Sequence, residues 1–218
     1  MPDFTLGLLL AGKRRVLRFP DLAMTHNFVA HARYPVVDPT DQPLRIVDVG
    51  ACVGGWTLAQ LMAAPNAVVQ CVEPNPAAWP YLLNNVGWNK RVRLNRHAAS
   101  DVDGRVTLHP DQSNLGKTSI YGQGEALSVL ATRLDGQIES PVDLLKIDAE
   151  GHEIHVLAGA ERILRESRPL VLVEVLREQM ARGGWTDRDL VALMIHHGYG
   201  GPEQINANDW LFRPKGKA

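Results

Sequence analysis

From residue 44 onward, short apolar runs alternate with segments of helical period, as in a parallel sheet covered by helices on both faces. Strands are predicted near 45–50, 67–72, 92–98, 143–148 and 169–175, and helices near 54–64, 77–88, 153–166 and 187–197. A last strand is predicted where Asp209, Trp210, Leu211, Phe212 and Arg213 precede a frayed polar tail. Between residues 100 and 141 the pattern loosens. Residues 105–109 alternate as a strand does, and 113–124, rich in Gly, Ser and Asn, is the expected active-site loop. Five of the fourteen prolines (Pro2, Pro20, Pro35, Pro39, Pro43) fall in the first 43 residues, so one regular element is not expected there, although 22–32 suits a short helix. Residues 1–43 read as a cap preceding a single domain over 44–218.

Composition narrows the class of partner. At 218 residues and 45% hydrophobic content the chain suits one α/β domain with a full core. Its 23 basic and 24 acidic residues give a formal charge of −1, so no global basic field exists to hold a nucleic acid backbone. The two cysteines, Cys52 and Cys71, are too few for a disulfide framework and read as reduced thiols. The short apolar run at 6–11 lacks a basic region ahead of it, and no stretch approaches transmembrane length, so a cytoplasmic protein without a membrane partner is expected. Nothing in the pattern specifies an oligomeric state.

Candidate chemistry begins where the first core strand (Leu44, Arg45, Ile46, Val47, Asp48, Val49) runs into Gly50, Ala51, Cys52, Val53, Gly54, Gly55. Glycines let the backbone adopt φ > 0 and approach a bulky group, and the following helix offers unpaired N–H groups. The spacing Gly50-x-x-x-Gly54-Gly55 departs from the G-x-G-x-x-G of dinucleotide sites. Asp48 argues against a phosphate and for a cationic group such as a sulfonium. The second strand ends at Glu73, roughly 20 residues on, where a carboxylate accepts ribose hydroxyl protons. Asn75 and Pro76 then read as N-cap and first helical position. The fourth strand ends in Lys146, Ile147, Asp148, Ala149, Glu150, Gly151, His152, Glu153, three acids and a histidine within six residues at the end of the sheet where ligands bind.

These motifs resemble the FkbM-type S-adenosylmethionine-dependent methyltransferases. The matches are Asp48, Gly50, Ala51 and Gly54; Glu73, Pro74, Asn75 and Pro76; Asn84, Asn85 and Val86; and Lys146, Ile147, Asp148, Glu150, Gly151 and Glu153. Lesser matches are Ser100, Asp101 and Gly104, Leu134 and Asp135, Gly159 and Ala160, and Glu174. Cys52 departs from the family's usual Asn. The resemblance implies a Rossmann-like class I methyltransferase fold, with a mostly parallel seven-stranded sheet, an antiparallel C-terminal strand and helices on both faces. It also implies S-adenosyl-L-methionine as cofactor and a small-molecule hydroxyl acceptor, a sugar or natural product. Cofactor binding is then expected at Asp48, Gly50, Cys52, Gly54, Glu73, Asn75, Ser100, Asp101 and Asp148.

A neutral hydroxyl is a weak nucleophile, so a base is needed, and Asp148, Glu150 and His152 are the candidates for catalysis. His152 has the best intrinsic pKa for the task, set against the reading of a surface histidine at a helix start. Glu150 and Glu153 also suit the first turn of a helix, where acids complement the dipole. Lys146, if buried, needs an acidic partner, for which Asp135 and Glu174 are candidates. No metal site is assigned, although Asp148 and Glu174 end adjacent strands and leave a metal-assisted O-methyltransferase open. A nucleoside-binding protein that has lost catalysis also fits the glycine turn and Glu73, whereas a nicotinamide oxidoreductase fits them less well.

Overall fold

The computed structural model describes residues 4–10, 13–20, 24, 43–111, 114–123, 125–139 and 141–216. Its centre is a seven-stranded sheet built from β3 (Arg45–Val49), β4 (Val68–Val72), β5 (Val92–Asn95), β9 (Leu144–Ile147), β10 (Leu170–Glu174), β11 (Glu203–Gln204) and β12 (Asp209–Phe212). The spatial order is β11-β12-β10-β9-β3-β4-β5. Neighbours from β10 through β5 pair in parallel, and β12 runs antiparallel to both β10 and β11. The order reverses between β3 and β9, so the carboxyl ends of these two strands flank a crevice, the expected ligand position in an open α/β sheet.

Alternation within the strands divides the core in two. Val47, Val49, Leu145 and Ile147 face one cluster, which includes Ile154, Leu157, Met180 and Phe212. Ile46, Leu144 and Leu172 face the other, with Trp56, Leu58 and Leu82. The covering helices are α1 (Gly55–Ala63), α2 (Trp79–Asn85), the short α3 (Leu134–Gln137), α4 (Glu153–Ala158), α5 (Arg177–Arg182) and α6 (Asp187–His196). The last is fixed at its start by a capping box between Thr186 and Asp189. No described helix is long and apolar enough to cross a membrane.

Several local expectations are corrected. The first residues pair as a hairpin of β1 (Phe4–Leu10) and β2 (Lys13–Phe19), because Pro2 and Pro20 flank the strands instead of interrupting them. Asn85 carries this hairpin: its side chain accepts from Arg18 N and donates to Arg18 O and Val53 O, each at 2.8 Å. The helix expected over 22–32 lies, apart from Met24, outside the described residues. The run expected as one strand over 92–98 splits, and β6 (Ala98–Ser100) joins β8 (Leu127–Arg133) and β7 (Gly104–Leu108) in a separate three-stranded sheet. The helix expected over 153–166 stops at Ala158. Gly159 follows, packed so tightly that an added Cβ would lie 1.9 Å from Ser100 O, and the chain continues as a π-helical turn, Ile163–Ser167. The helix expected from Pro76 begins at Trp79, since Asn75 caps the preceding turn by accepting from Ala77 N.

Candidate functional site

Two glycines shape the turn after β3, and the first of them lines the crevice. Gly50 adopts φ +75°, and a Cβ there would lie 1.8 Å from the carbonyl oxygen of Asp148, so glycine alone lets the ends of β3 and β9 close to this distance. Gly54 adopts φ +81° at the start of α1, against Leu82 and Val86. Between them Cys52 is also left-handed, at φ 47°. Its thiol is held above its ordinary pKa by burial first and then by the charges of Glu73 and Asp148, so it is neutral at pH 7.

Glu73, at the tip of β4, ties the turn together. One carboxylate oxygen accepts from Cys52 N at 2.8 Å and the other from Asn75 N at 2.7 Å. Burial pushes its pKa up to about 7, against the pull of these two N–H donors. Glu73 lines a narrow cavity of about 90 Å³ together with Gly50, Cys52, Asp148, Glu150 and His152. Its cover is the segment containing Leu115, Gly116, Thr118 and Ile120. Three contacts latch the cover: Asn75 Nδ2 donates to Thr118 Oγ1 at 2.8 Å, Ser119 Oγ donates to Glu150 O at 2.7 Å, and Tyr121 Oη lies 3.2 Å from His152 Nδ1.

Lys146 stands behind this cavity as a buried ammonium. Its Nζ lies 3.4 Å from Asp48 Oδ1 and 3.1 Å from Asp148 Oδ2, and donates to Gly50 O at 3.2 Å. Burial pulls its pKa down, but the Asp148 and Asp48 charges outweigh burial and hold it above the ordinary lysine value. Asp135, one of the partners expected for Lys146, instead accepts from the backbone N–H groups of Arg162 and Ile163. Asp48 is fully buried and accepts from Thr57 Oγ1 at 2.6 Å, so it supports the turn from behind and does not line the cavity.

His152 is 6% exposed, which corrects the surface reading. Its Nε2 lies 3.0 Å from Ser100 Oγ, and its ring stacks on His155 at 4.4 Å. Burial, then the neighbouring His155, lowers its pKa to about 4, leaving it neutral. His155 is held in turn: Trp185 Nε1 donates to its Nε2 at 3.3 Å, and its Nδ1 lies 3.0 Å from Asp101 Oδ2. Ser100 and Asp101 therefore form a network behind the cavity wall. Sequence reasoning missed Thr118, Tyr121, His155 and Trp185. Ser119 was missed too, and like Thr118 and Tyr121 it lies inside the loop expected over 113–124, which was not resolved to single residues.

A second cavity of about 400 Å³ adjoins the first and shares Gly116, Asp148 and Glu150 with it. Glu150, at φ +49°, has its carboxyl pushed to about 8 by burial, then by Asp148 and Glu153. Glu174 is pushed to about 9 by burial, then by Asp148. Oxygen atoms of Asp148, Glu150 and Glu174 lie within 4.8 Å of one another. Glu153 faces inward, accepting from Ala149 N and Gly151 N, and closes the turn after β9.

The family profile described as "Methyltransferase FkbM domain" matches residues 48–200. Among curated proteins, the "2-O-methyltransferase NoeI" of Sinorhizobium fredii (strain NBRC 101917 / NGR234) is 24% identical over 212 residues, 86% of either chain. Among solved structures, the methyltransferase FkbM of Methylobacillus flagellatus KT superposes with a TM-score of 0.59 at 17% identity, covering 78% of this chain and 43% of that one. The pyocyanin biosynthetic protein PhzM superposes at 0.51 with 16% identity, covering 88% and 56%. This chain spans less than two thirds of either structure's length, and the likeness is one of fold.

Proposed function

The chain belongs to the methyltransferase FkbM domain family and is an S-adenosylmethionine-dependent methyltransferase, and we propose that it methylates a hydroxyl of a sugar or small natural product. The carrying observation is that two adjoining cavities share a wall made by Asp148 and Glu150 at the switch point of the sheet. The relative named as a 2-O-methyltransferase favours oxygen as the acceptor atom.

The residues of the narrow cavity suit the cofactor. Each oxygen of Glu73 holds one backbone N–H and keeps lone pairs for ribose hydroxyls. The carboxylate of Asp148 suits a neighbouring positive charge. We assign cofactor binding to Gly50, Cys52, Gly54, Glu73 and Asp148. Asp48, Asn75, Ser100 and Asp101 act as supports, through Lys146, Thr118 and His152. Ligand pockets run to roughly 300–1,000 Å³, so the cover over 115–121 must swing outward to admit a nucleoside, breaking its latches to Asn75, Glu150 and His152. When bound, the cofactor supplies a methyl group on a sulfonium.

Of the three candidate bases, Asp148 and Glu150 face both cavities and are assigned to the acceptor's proton. His152, neutral and engaged at both nitrogens, is assigned to shaping the cofactor cavity. Charge near zero disfavours a nucleic acid acceptor. Two free thiols accord with a reducing compartment, and we assign the chain to the cytoplasm on that ground.

Titration calorimetry with S-adenosylmethionine and methyl transfer to a hydroxyl panel test this reading. Glu73→Ala is expected to weaken cofactor affinity at least tenfold. Asp148→Asn is expected to lower turnover by about 10²–10⁴ with a smaller change in cofactor affinity. Unchanged affinity in the first variant, or wild-type turnover in the second, refutes the assignment. A metal-assisted form of the reaction has one observation in its favour, the proximity of Asp148, Glu150 and Glu174. Loss of activity in EDTA with recovery in magnesium would establish it.

A further inference from the structure

The second cavity carries its own chemistry. Its mouth is the tip of β10 and the turn before β12, where Glu174 faces Asp209 in the antiparallel register. Asn206 and Asn208 stand on that turn and Trp56 closes the floor. Among the described residues its ionisable lining is four acidic side chains (Asp148, Glu150, Glu174, Asp209) against Lys117 and Lys146. Lys146 is already placed between Asp48 and Asp148. That leaves the acidic groups of Glu150, Glu174 and Asp209 with Lys117 as the other cation of the lining, and burial together with Asp148 keeps the first two protonated near neutral pH.

We infer that this cavity is the acceptor site, and that it takes a polyhydroxylated acceptor without a phosphate, sulfate or carboxylate on the part that enters, that is, a neutral or amino sugar. The inference rests on the methyltransferase reading above and narrows its substrate class. Carboxylate oxygens accept from vicinal hydroxyls, side-chain amides and protonated carboxyls both accept from and donate to them, and the carboxylates also accept from an ammonium group. An anionic substituent would be disfavoured by the same burial and the same Asp148 charge that keep the Glu150 and Glu174 carboxyls protonated near neutral pH, in a recess where water screens charge less than at an open surface. The methyl must pass the wall that the two cavities share, so the sugar hydroxyl that receives it comes to Asp148 and Glu150.

Asn208 offers a clean probe. Its backbone makes the bonds that hold the turn, N–H to Asn206 Oδ1 at 2.9 Å and C=O from Val175 N at 2.8 Å, so a side-chain change leaves them in place. Saturation-transfer NMR on the full chain with S-adenosylhomocysteine would use four probes: glucosamine, methyl glucoside, glucose 6-phosphate and catechol. Signal is expected for the first two and not for the last two. Asn208→Ala should weaken the sugar signal severalfold. Asn208→Lys should reduce glucosamine binding further and admit glucose 6-phosphate. Cofactor affinity by calorimetry should stay within about threefold in both variants. The inference is overturned if glucose 6-phosphate or catechol binds wild type as well as the sugars do, if neither sugar binds, or if both variants leave the signals unchanged. Failure of cofactor binding in calorimetry would instead sink the methyltransferase reading, so the two failures are separable.

Discussion

Replacing Lys146 with methionine keeps the bulk of the side chain and removes the ammonium 3.4 Å from Asp48 Oδ1 and 3.1 Å from Asp148 Oδ2. Asp48 is fully buried and would retain the Thr57 hydroxyl as its hydrogen-bond donor. Breaking a buried pair by deleting one partner costs about 3–5 kcal/mol, because the remaining charge is left uncompensated. Asp148 is 30% exposed at its side chain, and water takes over much of the role of its lost partner, so nearly all of this loss is assigned to Asp48. With a urea m-value of about 2–3 kcal/mol/M for a chain of this size, the midpoint should fall by about 1–2 M. Tryptophan fluorescence in urea at pH 7 measures it. The double variant Asp48→Asn with Lys146→Met should recover about 2 kcal/mol or more, since an asparagine oxygen still accepts from Thr57 and no buried charge remains. A loss under about 1 kcal/mol in the single variant, or no recovery in the double, would refute the account of Lys146 as the counter-ion of a buried carboxylate.

Asn85→Ala removes the three bonds that fasten β2 to the glycine turn. At about 1 kcal/mol each the loss is about 2–3 kcal/mol, and hydrogen exchange at the Arg18 amide should rise even where the core amides keep their protection; unchanged exchange there would count against the bridge. Stability should also depend on pH. Glu73 and Glu153 near 7, Glu150 near 8 and Glu174 near 9 all bind protons more tightly folded than unfolded, so their contribution is present below the ordinary carboxylate range and is lost as pH rises through these values. His152, lowered to about 4, acts in the opposite sense, and only below its ordinary value near 6.5. Between pH 6.5 and 9 the carboxyls therefore act without that offset, and Tm should fall by about 5–10 °C. Glu174→Gln should flatten the upper part of that descent, whereas a Tm that rises across the range would refute it.

The central sheet was legible because each buried parallel strand is a continuous apolar run with turn residues on both sides, a signal that needs no partner to be read. β1 and β2 were not, because prolines bracketing a hairpin look in one dimension like prolines scattered through a loop. β8 was obscured differently: along Leu127–Arg133 the inward positions, Val129 and Ala131, are too few to stand out against the loop before it. The break after Ala158 is a packing event, since Gly159 is where the chain passes Ser100 at backbone contact. The left-handed φ of Cys52 gives a physical reason for the asparagine usual at this position in the family, because Asn tolerates that region better than most residues.

The partners of Lys146 show what kind of reading would have recovered the missing part of the site. Side chains two apart on a strand share a face. On β3, Ile46 and Asp48 therefore look the same way, and on β9 so do Leu144 and Lys146, with Asp148 continuing that face just past the strand end. The sheet pairs Asp48 directly with Lys146, and Ile46 and Leu144 pack in one cluster, so both charged groups point to the α1 side, where Thr57 waits. Parity thus admits Asp48, Asp148 and the expected Glu174, which lies two residues past the Leu172 that pairs with Lys146 and, when ionised, adds to the charge holding the ammonium, and sets aside Asp135, which belongs to no core strand. The adjacency of β3 and β9 follows from the strand order at the switch point. A carboxylate at a strand tip looks like a ligand contact in isolation. Once parity and strand order are combined, Asp48 becomes the buried counter-ion of Lys146, and Asp148, which shares that ammonium and lines both cavities, is the carboxylate left facing the chemistry.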